Sequence, residues 1–471
     1  MSNLTSAGSG STGHPHTKKL ESAKGLKHLA AFSVVGFGAG AAGVCLALML
    51  HFIQHIAFGY SQNALISHES FLQGVTAASS LRRFVIVSAC GLIAGLGWTA
   101  LFRWGRPLVH VSQAIASENL RMPVLSTISN AVLQVITVAM GSPLGREVAP
   151  REIGSLVASY TARYAGMATE DYRVIVACGS AAGLAAVYNV PIAASIFAAE
   201  VLLRTARPTV LLKALFTCAV AASVAKLGLG SDPQYHAADF PITSHLLLWC
   251  AIFGPVFGGL GMAFKRLTQH AQGKSPLGAK MFIACVLSFP LLGLLSVCFP
   301  ELLGNGKGPA QLAFDGHISR DWGVAIICLK LTVVVLALLS GAKGGLMTPG
   351  IAIGALVASI LGTAWSGSSP LATTAPYAIV GAAAFLSSSM AMPLTAVALL
   401  VEFMHLPLSC LAPLGLAVGG ATLCRVALQH AANARIQRAA LVGSGSHVVR
   451  LGAMDGLFSA PLTRTTWKRT S

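Results

Sequence analysis

The chain has 471 residues, of which 54% are hydrophobic and 10% are charged, and its mean hydropathy is +0.71. Soluble domains carry about 25% charged residues, so this composition excludes a soluble globular protein and is typical of an integral membrane protein. The net charge of +17 does not indicate nucleic-acid binding, because no basic face interleaves with aromatic residues.

The N-terminal segment, residues 1–28, is polar and rich in glycine and serine. It lacks the apolar stretch of a signal peptide, and we expect a disordered tail. Its lysines, Lys18, Lys19, Lys24 and Lys27, precede the first apolar stretch. Because basic residues accumulate on the cytoplasmic side of membrane spans, this pattern predicts a cytoplasmic N-terminus and a multi-pass protein of the cell (inner) membrane.

About eleven apolar stretches then come near or exceed the roughly twenty residues that a membrane-spanning helix needs. They are rich in glycine and have no strict period of two, which excludes a β-barrel. We therefore predict an all-α polytopic membrane domain over residues 29–435, followed by a short basic tail over residues 436–471. In chain order the stretches include Leu29–Gly59, Phe84–Trp104, Val174–Leu203, Leu246–Phe264, Met281–Cys298, Val324–Leu339, Ala375–Met404 and Leu406–Leu428.

The sequence contains an internal repeat, with halves at about residues 29–230 and 244–435. Gly179–Glu200 aligns with Gly381–Glu402, and glycine, proline and glutamate match at one offset. Upstream, a Gly/Pro break at Gly145–Pro150 corresponds to a break at Gly344–Pro349. Paired breaks in two halves point to a binding site at the membrane midplane. Glu200 and Glu402 end equivalent helices, which favours helix capping or pairing over a direct role.

The first break, Gly145-Arg146-Glu147-Val148-Ala149-Pro150, places a carboxylate inside an apolar region. A charge at membrane depth costs several kcal/mol, so by default it marks a pathway. Free N–H groups at a helix start attract anions, and the Glu147 carboxylate competes with a mobile anion for them. We interpret Glu147 as a gate that couples anions to protons; a structural ion pair with Arg146 is the alternative. For Glu152, just after the break, a pathway role is the less favoured reading.

Other chemistry has little support in the sequence. His51 and His55 have helical spacing, but no carboxylate or cysteine accompanies them, so we predict no metal site. Neither a catalytic nucleophile nor a phosphate-binding loop is found, and we expect neither an enzyme nor a bound cofactor.

The motifs resemble those of the CLC family of chloride channels and chloride/proton antiporters. The resemblance covers about residues 30–430 and is most specific in three segments: Gly145–Pro150 (family GREGP), Gly179–Glu200 (family GAAAGLAAAFNAPLAG…E) and Gly344–Pro349 (family GGIFAP). It implies a CLC-type double repeat of antiparallel (inverted) halves, with about eighteen helices per subunit. It also implies a homodimer in the lipid bilayer with one pore in each subunit and chloride as the transported ion.

By this resemblance, Glu147 is the external gating glutamate. The anion path is implied at Gly145 and at the backbone N–H groups of six residues on the two breaks. These six are Arg146, Glu147, Val148, Leu346, Met347 and Thr348.

Three positions depart from the family pattern. The family's anion-coordinating serine is replaced by Leu108, and its late tyrosine aligns best with Ala434. The internal proton glutamate of the family antiporters is replaced by Val201, which carries no proton. Anion binding at the centre is then expected to rest on the amides of Leu346 and Met347.

The leading hypothesis is chloride transport by passive conduction through a pore gated by Glu147. The alternative is an antiporter that exchanges protons with chloride or with another anion such as fluoride or nitrate. A third hypothesis is a regulatory or assembly subunit that has lost transport.

Overall fold

We analysed a computed structural model that describes residues 15–60, 69–238, 240–316, 318–366 and 374–443; residues 15–24 and 435–443 are described by their backbone only. The described residues contain seventeen α-helices and no strand, which confirms the predicted all-α class. The chain divides into a unit that ends at Arg425 and a second unit, Val426–Ser471.

The helices are, in chain order, α1 (Pro15–Phe58), α2 (Phe71–Ala77), α3 (Ser80–Trp104), α4 (Val111–Ala116), α5 (Val124–Ala139), α6 (Val148–Tyr164), α7 (Thr169–Tyr188), α8 (Pro191–Phe197), α9 (Pro208–Leu229), α10 (Ser244–Gly273), α11 (Ala279–Cys298), α12 (Lys307–Phe314), α13 (Arg320–Leu339), α14 (Met347–Ser366), α15 (Ala375–Met390), α16 (Pro393–Met404) and α17 (Leu411–Gly443). A π-helical turn, Ala198–Leu203, extends α8. Across the described residues, eight helical segments are long and apolar enough to cross a membrane.

The first helix begins earlier than the sequence predicts. α1 starts at Pro15, so residues 15–28 are helical, and for them the expectation of a disordered tail is wrong. The physical reason is that this segment is rich in good helix formers, namely lysine, leucine, glutamate and alanine. As a whole, however, the segment is too polar to span the membrane. Residues 1–14 lie outside the described part of the chain.

The two halves repeat the same succession of helices. α5 to α8 in the first half correspond to α13 to α16 in the second, with a break before α6 and another before α14. Asn189 and Ala391 end α7 and α15 in the left-handed conformation, at φ 54° and 58°. In each half the same left-handed turn therefore leads into the next helix, α8 or α16, as the sequence repeat predicts.

Glycine permits close packing of the helix that follows each break. α6 crosses α7 where Gly154 faces Gly179, and a Cβ on Gly154 would meet the Gly179 carbonyl oxygen. In the second half a Cβ on Gly354 would lie 2.7 Å from Cβ of Phe385, on α15. These contacts let the two break helices approach their neighbours closely and fix where their N-termini lie.

Glu200 and Glu402 each cap the start of a helix in the opposite half of the repeat. Glu200 accepts the backbone N–H groups of Leu394 and Thr395 at 2.9 and 2.8 Å, in the first turn of α16. Glu402 accepts those of Ile192 and Ala193 at 3.0 and 2.6 Å, in the first turn of α8. Each carboxylate satisfies N–H groups that have no partner within their own helix. The capping interpretation of both residues is confirmed.

Candidate functional site

The two breaks meet each other at the centre of the first unit. Gly145 N–H donates to the Gly345 carbonyl at 2.7 Å, and Gly345 N–H donates to the Gly145 carbonyl at 2.8 Å, in an antiparallel bridge. α6 begins at Val148 and α14 begins at Met347, immediately after this bridge. Two helix N-termini, each with N–H groups that lack intrahelical acceptors, are thereby held side by side.

The Glu147 side chain reaches from the first break to the second. Its Oε1 accepts the backbone N–H of Met347 at 2.8 Å, and only 2% of the residue is exposed. Its Oε2 is buried and has no hydrogen-bond partner among the described residues. The carboxyl group of Glu147 therefore lies at the N-terminus of α14, the kind of position that stabilises an anion.

Glycines form the walls around this carboxylate. A Cβ built on either Gly145 or Gly345 would collide with the carboxylate of Glu147. Both positions thus require glycine because of this close approach. The bridge pairs Gly145 with Gly345, one residue beyond the Gly344 to which the sequence repeat aligns it.

Arg146 does not pair with the Glu147 carboxylate. The ion pairs found among the described residues do not include it, and its guanidinium carbon lies 5.5 Å from the centre of the Tyr188 ring. The alternative of a structural Arg146–Glu147 ion pair thus has no geometric support, and the carboxylate is left to the Met347 amide.

Tyr188, the last residue of α7, lies at the site although the family resemblance assigns it no role. Its hydroxyl lies 3.4 Å from Oγ1 of Thr348, in the first turn of α14, and the ring packs edge-on against Phe403. The family segment that resembles Gly179–Glu200 has phenylalanine at this position, so the extra hydroxyl of Tyr188 could have been noticed in the sequence. A buried hydroxyl thus lies beside the N-terminus that Glu147 occupies.

The three departures from the family pattern lie in different places. Leu108 is half-buried and precedes α4, whose N-cap residue is His110. Val201 lies in the π-helical turn after α8 and packs against the core. Ala434 is exposed on α17, within the second unit. None of the three side chains carries a hydroxyl or a carboxyl group.

Glu152 belongs to a buried polar network on the side of α6 that faces α5. Its carboxylate accepts from Asn130 Nδ2 at 2.8 Å and from Gln134 Nε2 at 3.3 Å. The Asn130 oxygen in turn accepts the indole N–H of Trp98 at 3.0 Å. Glu152 is thus held by neutral amides and does not contact the Glu147 carboxylate.

Across the described residues, no group of three or more histidine, cysteine, aspartate or glutamate side chains is placed to hold a metal ion. His55 stacks on Tyr60, with ring centres 4.5 Å apart, so this histidine contributes to packing.

The arrangement places the Glu147 carboxyl group where it would compete with a mobile anion for the Met347 N–H. With the carboxylate on the Met347 amide, the N-terminus of α14 is occupied by the protein's own negative charge. Removal of that charge, or rotation of the side chain, exposes the same N–H group to an anion from solution.

The chain is similar to known proteins in sequence and in fold. Residues 90–425 match the model of the voltage-gated chloride channel family. The ClC-type chloride channel ClcB of Citrobacter koseri, described as voltage-gated, is 26% identical over 304 residues, which cover 63% of this chain and 72% of that protein. The H(+)/Cl(-) exchange transporter ClcA of the same species is 28% identical over 277 residues, covering 56% of this chain and 59% of that protein.

Solved structures share the fold. A slow cyanobacterial Cl-/H+ antiporter superimposes with a TM-score of 0.73 at 20% identity, covering 85% of this chain and 95% of that one. A CLC-type fluoride/proton antiporter superimposes with a TM-score of 0.63 at 19% identity, covering 86% of this chain and 95% of that one. By its sequence match and its fold, the chain belongs to the CLC family of voltage-gated chloride channels, a family of multi-pass membrane proteins that transport chloride.

Proposed function

We propose that this protein conducts chloride passively through a path that Glu147 closes. The single observation that carries the proposal is the Glu147 carboxylate bound to the Met347 amide between Gly145 and Gly345. A side-chain anion in that position excludes a mobile anion from the N-terminus of α14, and its departure admits one. The remaining residues of the proposed anion path are Arg146 and Leu346, which precede the two helices, and Val148 and Thr348, which lie in their first turns.

Passive conduction is favoured over proton-coupled exchange because Val201 supplies no proton-carrying group next to the capping residue Glu200. Glu200 itself is engaged by two N–H groups and by the hydroxyl of Thr395 at 2.6 Å. All three donors hold this carboxylate at the start of α16, so Glu200 is engaged in capping that helix.

A second candidate is chloride/proton exchange, or exchange of protons with fluoride or nitrate. It is supported by the similarity to the exchange transporter ClcA and by the shared fold of two antiporters. Leu108 favours an altered anion preference, because it offers no hydroxyl to the path.

The test is a simultaneous recording of chloride and proton movement from liposomes that contain the purified protein. Passive conduction predicts chloride efflux down its gradient with no uphill proton movement. A fixed ratio of protons to chloride would contradict passive conduction and support the exchange mechanism. Absence of flux in both the wild type and Glu147→Ala would instead favour a regulatory subunit.

We also propose a homodimer in the inner membrane with a cytoplasmic N-terminus. The lysines before the first span support this orientation. Ile192 and Leu394, at the starts of α8 and α16, are 54% and 65% exposed and provide apolar surface for a subunit contact. Cross-linking of the purified protein in liposomes tests this assembly, and a purely monomeric product would contradict it.

A further inference from the structure

Arg151 is a cation inside the helix bundle that the gate mechanism does not use. It is the fourth residue of α6 and lies four positions after Glu147, the N-cap residue of that helix. Its guanidinium carbon lies 4.5 Å from the centre of the Phe197 ring, on α8. Its Nε is buried and has no hydrogen-bond partner among the described residues.

Glu147 and Glu152 attract Arg151 electrostatically, but neither carboxylate forms a direct ion pair with it. Glu152 is the next residue, but its carboxylate faces α5 and accepts from Asn130 and Gln134. Glu147 attracts the guanidinium electrostatically, yet its carboxylate is bound to the Met347 amide. The ion pairs of the described residues include neither contact.

A buried Nε–H group without an acceptor, on a half-buried guanidinium, is costly in this position. Removal of a cation from water costs several kcal/mol, and contact with an aromatic face returns about 2 kcal/mol when it is desolvated. Intramembrane cations that persist at such cost usually mark the path of an ion. A small anion is the ligand that both neutralises the charge and accepts the free N–H.

We propose that the Arg151 guanidinium is a second binding position for a small inorganic anion, one helical turn along α6 from Glu147. One turn corresponds to a rise of about 5.4 Å along the helix axis, so the backbone of Arg151 lies about one turn beyond that of Glu147. The inference rests on the proposed anion path and deepens it: an anion that passes Glu147 next meets Arg151 beside Phe197.

Bromide is a suitable probe, because its anomalous scattering locates it directly in crystals of the full chain. Crystals of Glu147→Gln grown in bromide are expected to contain one ion at the Met347 amide and another in contact with the Arg151 guanidinium. A peak at Met347 without one at Arg151 would overturn this inference alone. Absence of both peaks would also count against the proposed anion path.

A charge-matched pair of variants separates an anion site from a packing role. In the Glu147→Gln background, Arg151→Gln is expected to lose the bromide peak at position 151 while the peak at Met347 remains. Arg173→Gln removes the same charge from an exposed pair with Glu170 and is expected to retain both peaks. A bromide peak that persists at position 151 in the Arg151→Gln crystals would contradict the proposal. If Arg151→Gln does not fold, the Glu147→Gln crystals alone decide the question.

Discussion

The carboxylate of Glu147 accepts the backbone N–H of Met347 at 2.8 Å, across 200 residues of sequence. This bond joins the break of one half to the helix that starts after the break of the other. A charge-assisted hydrogen bond contributes about 1.5–3 kcal/mol, and in the proposed mechanism it also determines whether the N-terminus of α14 is free.

Chloride flux is expected to rise as the pH falls. Protonation removes the negative charge of Glu147, so the carboxyl group binds the Met347 amide and the α14 dipole less strongly and leaves the site to chloride. The direction is therefore greater conduction at acid pH and less at alkaline pH. Initial rates of chloride efflux from liposomes, measured over a series of pH values, test this trend.

The same series in Glu147→Gln provides the control, because glutamine does not titrate. Its flux is expected to be high and to lose the acid activation. A pH dependence that is unchanged in Glu147→Gln would assign the titration to another group.

Gly345→Ala is expected to displace the gate. The added Cβ would overlap the Glu147 carboxylate, and overpacking of this kind costs typically about 1–3 kcal/mol. Chloride efflux should increase because the closed position is destabilised. Gly259→Ala, where an added Cβ has no neighbour within 4 Å, should behave as the wild type. A fall in flux after Gly345→Ala would mean that the carboxylate does not block the path.

Tyr188→Phe is expected to change anion preference while conduction persists. The substitution keeps the ring against Phe403 and removes the hydroxyl beside Thr348. Since a neutral hydrogen bond contributes about 0.5–1.5 kcal/mol, we expect the chloride-to-nitrate flux ratio to change about two- to tenfold. Tyr160→Phe removes another hydroxyl, which donates to the Met122 carbonyl, and should leave the ratio unchanged. A chloride-to-nitrate flux ratio equal to that of the wild type in both variants would exclude the Tyr188 hydroxyl from the path.

Sequence alone predicts much of this fold and site, because its signals are local. The Gly/Pro breaks, the repeat and the capping role of Glu200 and Glu402 follow from spacing and from the chemistry of helix ends. The Tyr188–Thr348 contact does not, since it joins residues 160 positions apart and depends on how α7 lies against α14. The pairing of Gly145 with Gly345 could not be predicted either, because an alignment of two short segments does not determine their register to within one residue.

Loss of either reciprocal cap is expected to destabilise the protein. Glu402→Gln and Glu200→Gln each remove a charge that binds two N–H groups of the opposite half. Loss of a helix cap costs about 0.5–2 kcal/mol, so both variants should unfold at lower temperature in detergent. Glu170→Gln, at an exposed position, serves as the control. Unfolding temperatures equal to the wild type in both variants would show that the caps do not stabilise the repeat.

The most direct test of the gate is chloride efflux from liposomes for the wild type, Glu147→Gln and the control Glu170→Gln. Loss of the charge-assisted bond to Met347 is expected to raise the flux of Glu147→Gln by about tenfold to a hundredfold, in line with about 1.5–3 kcal/mol. Glu170→Gln should match the wild type. Equal flux in all three proteins would contradict the claim that Glu147 closes the path.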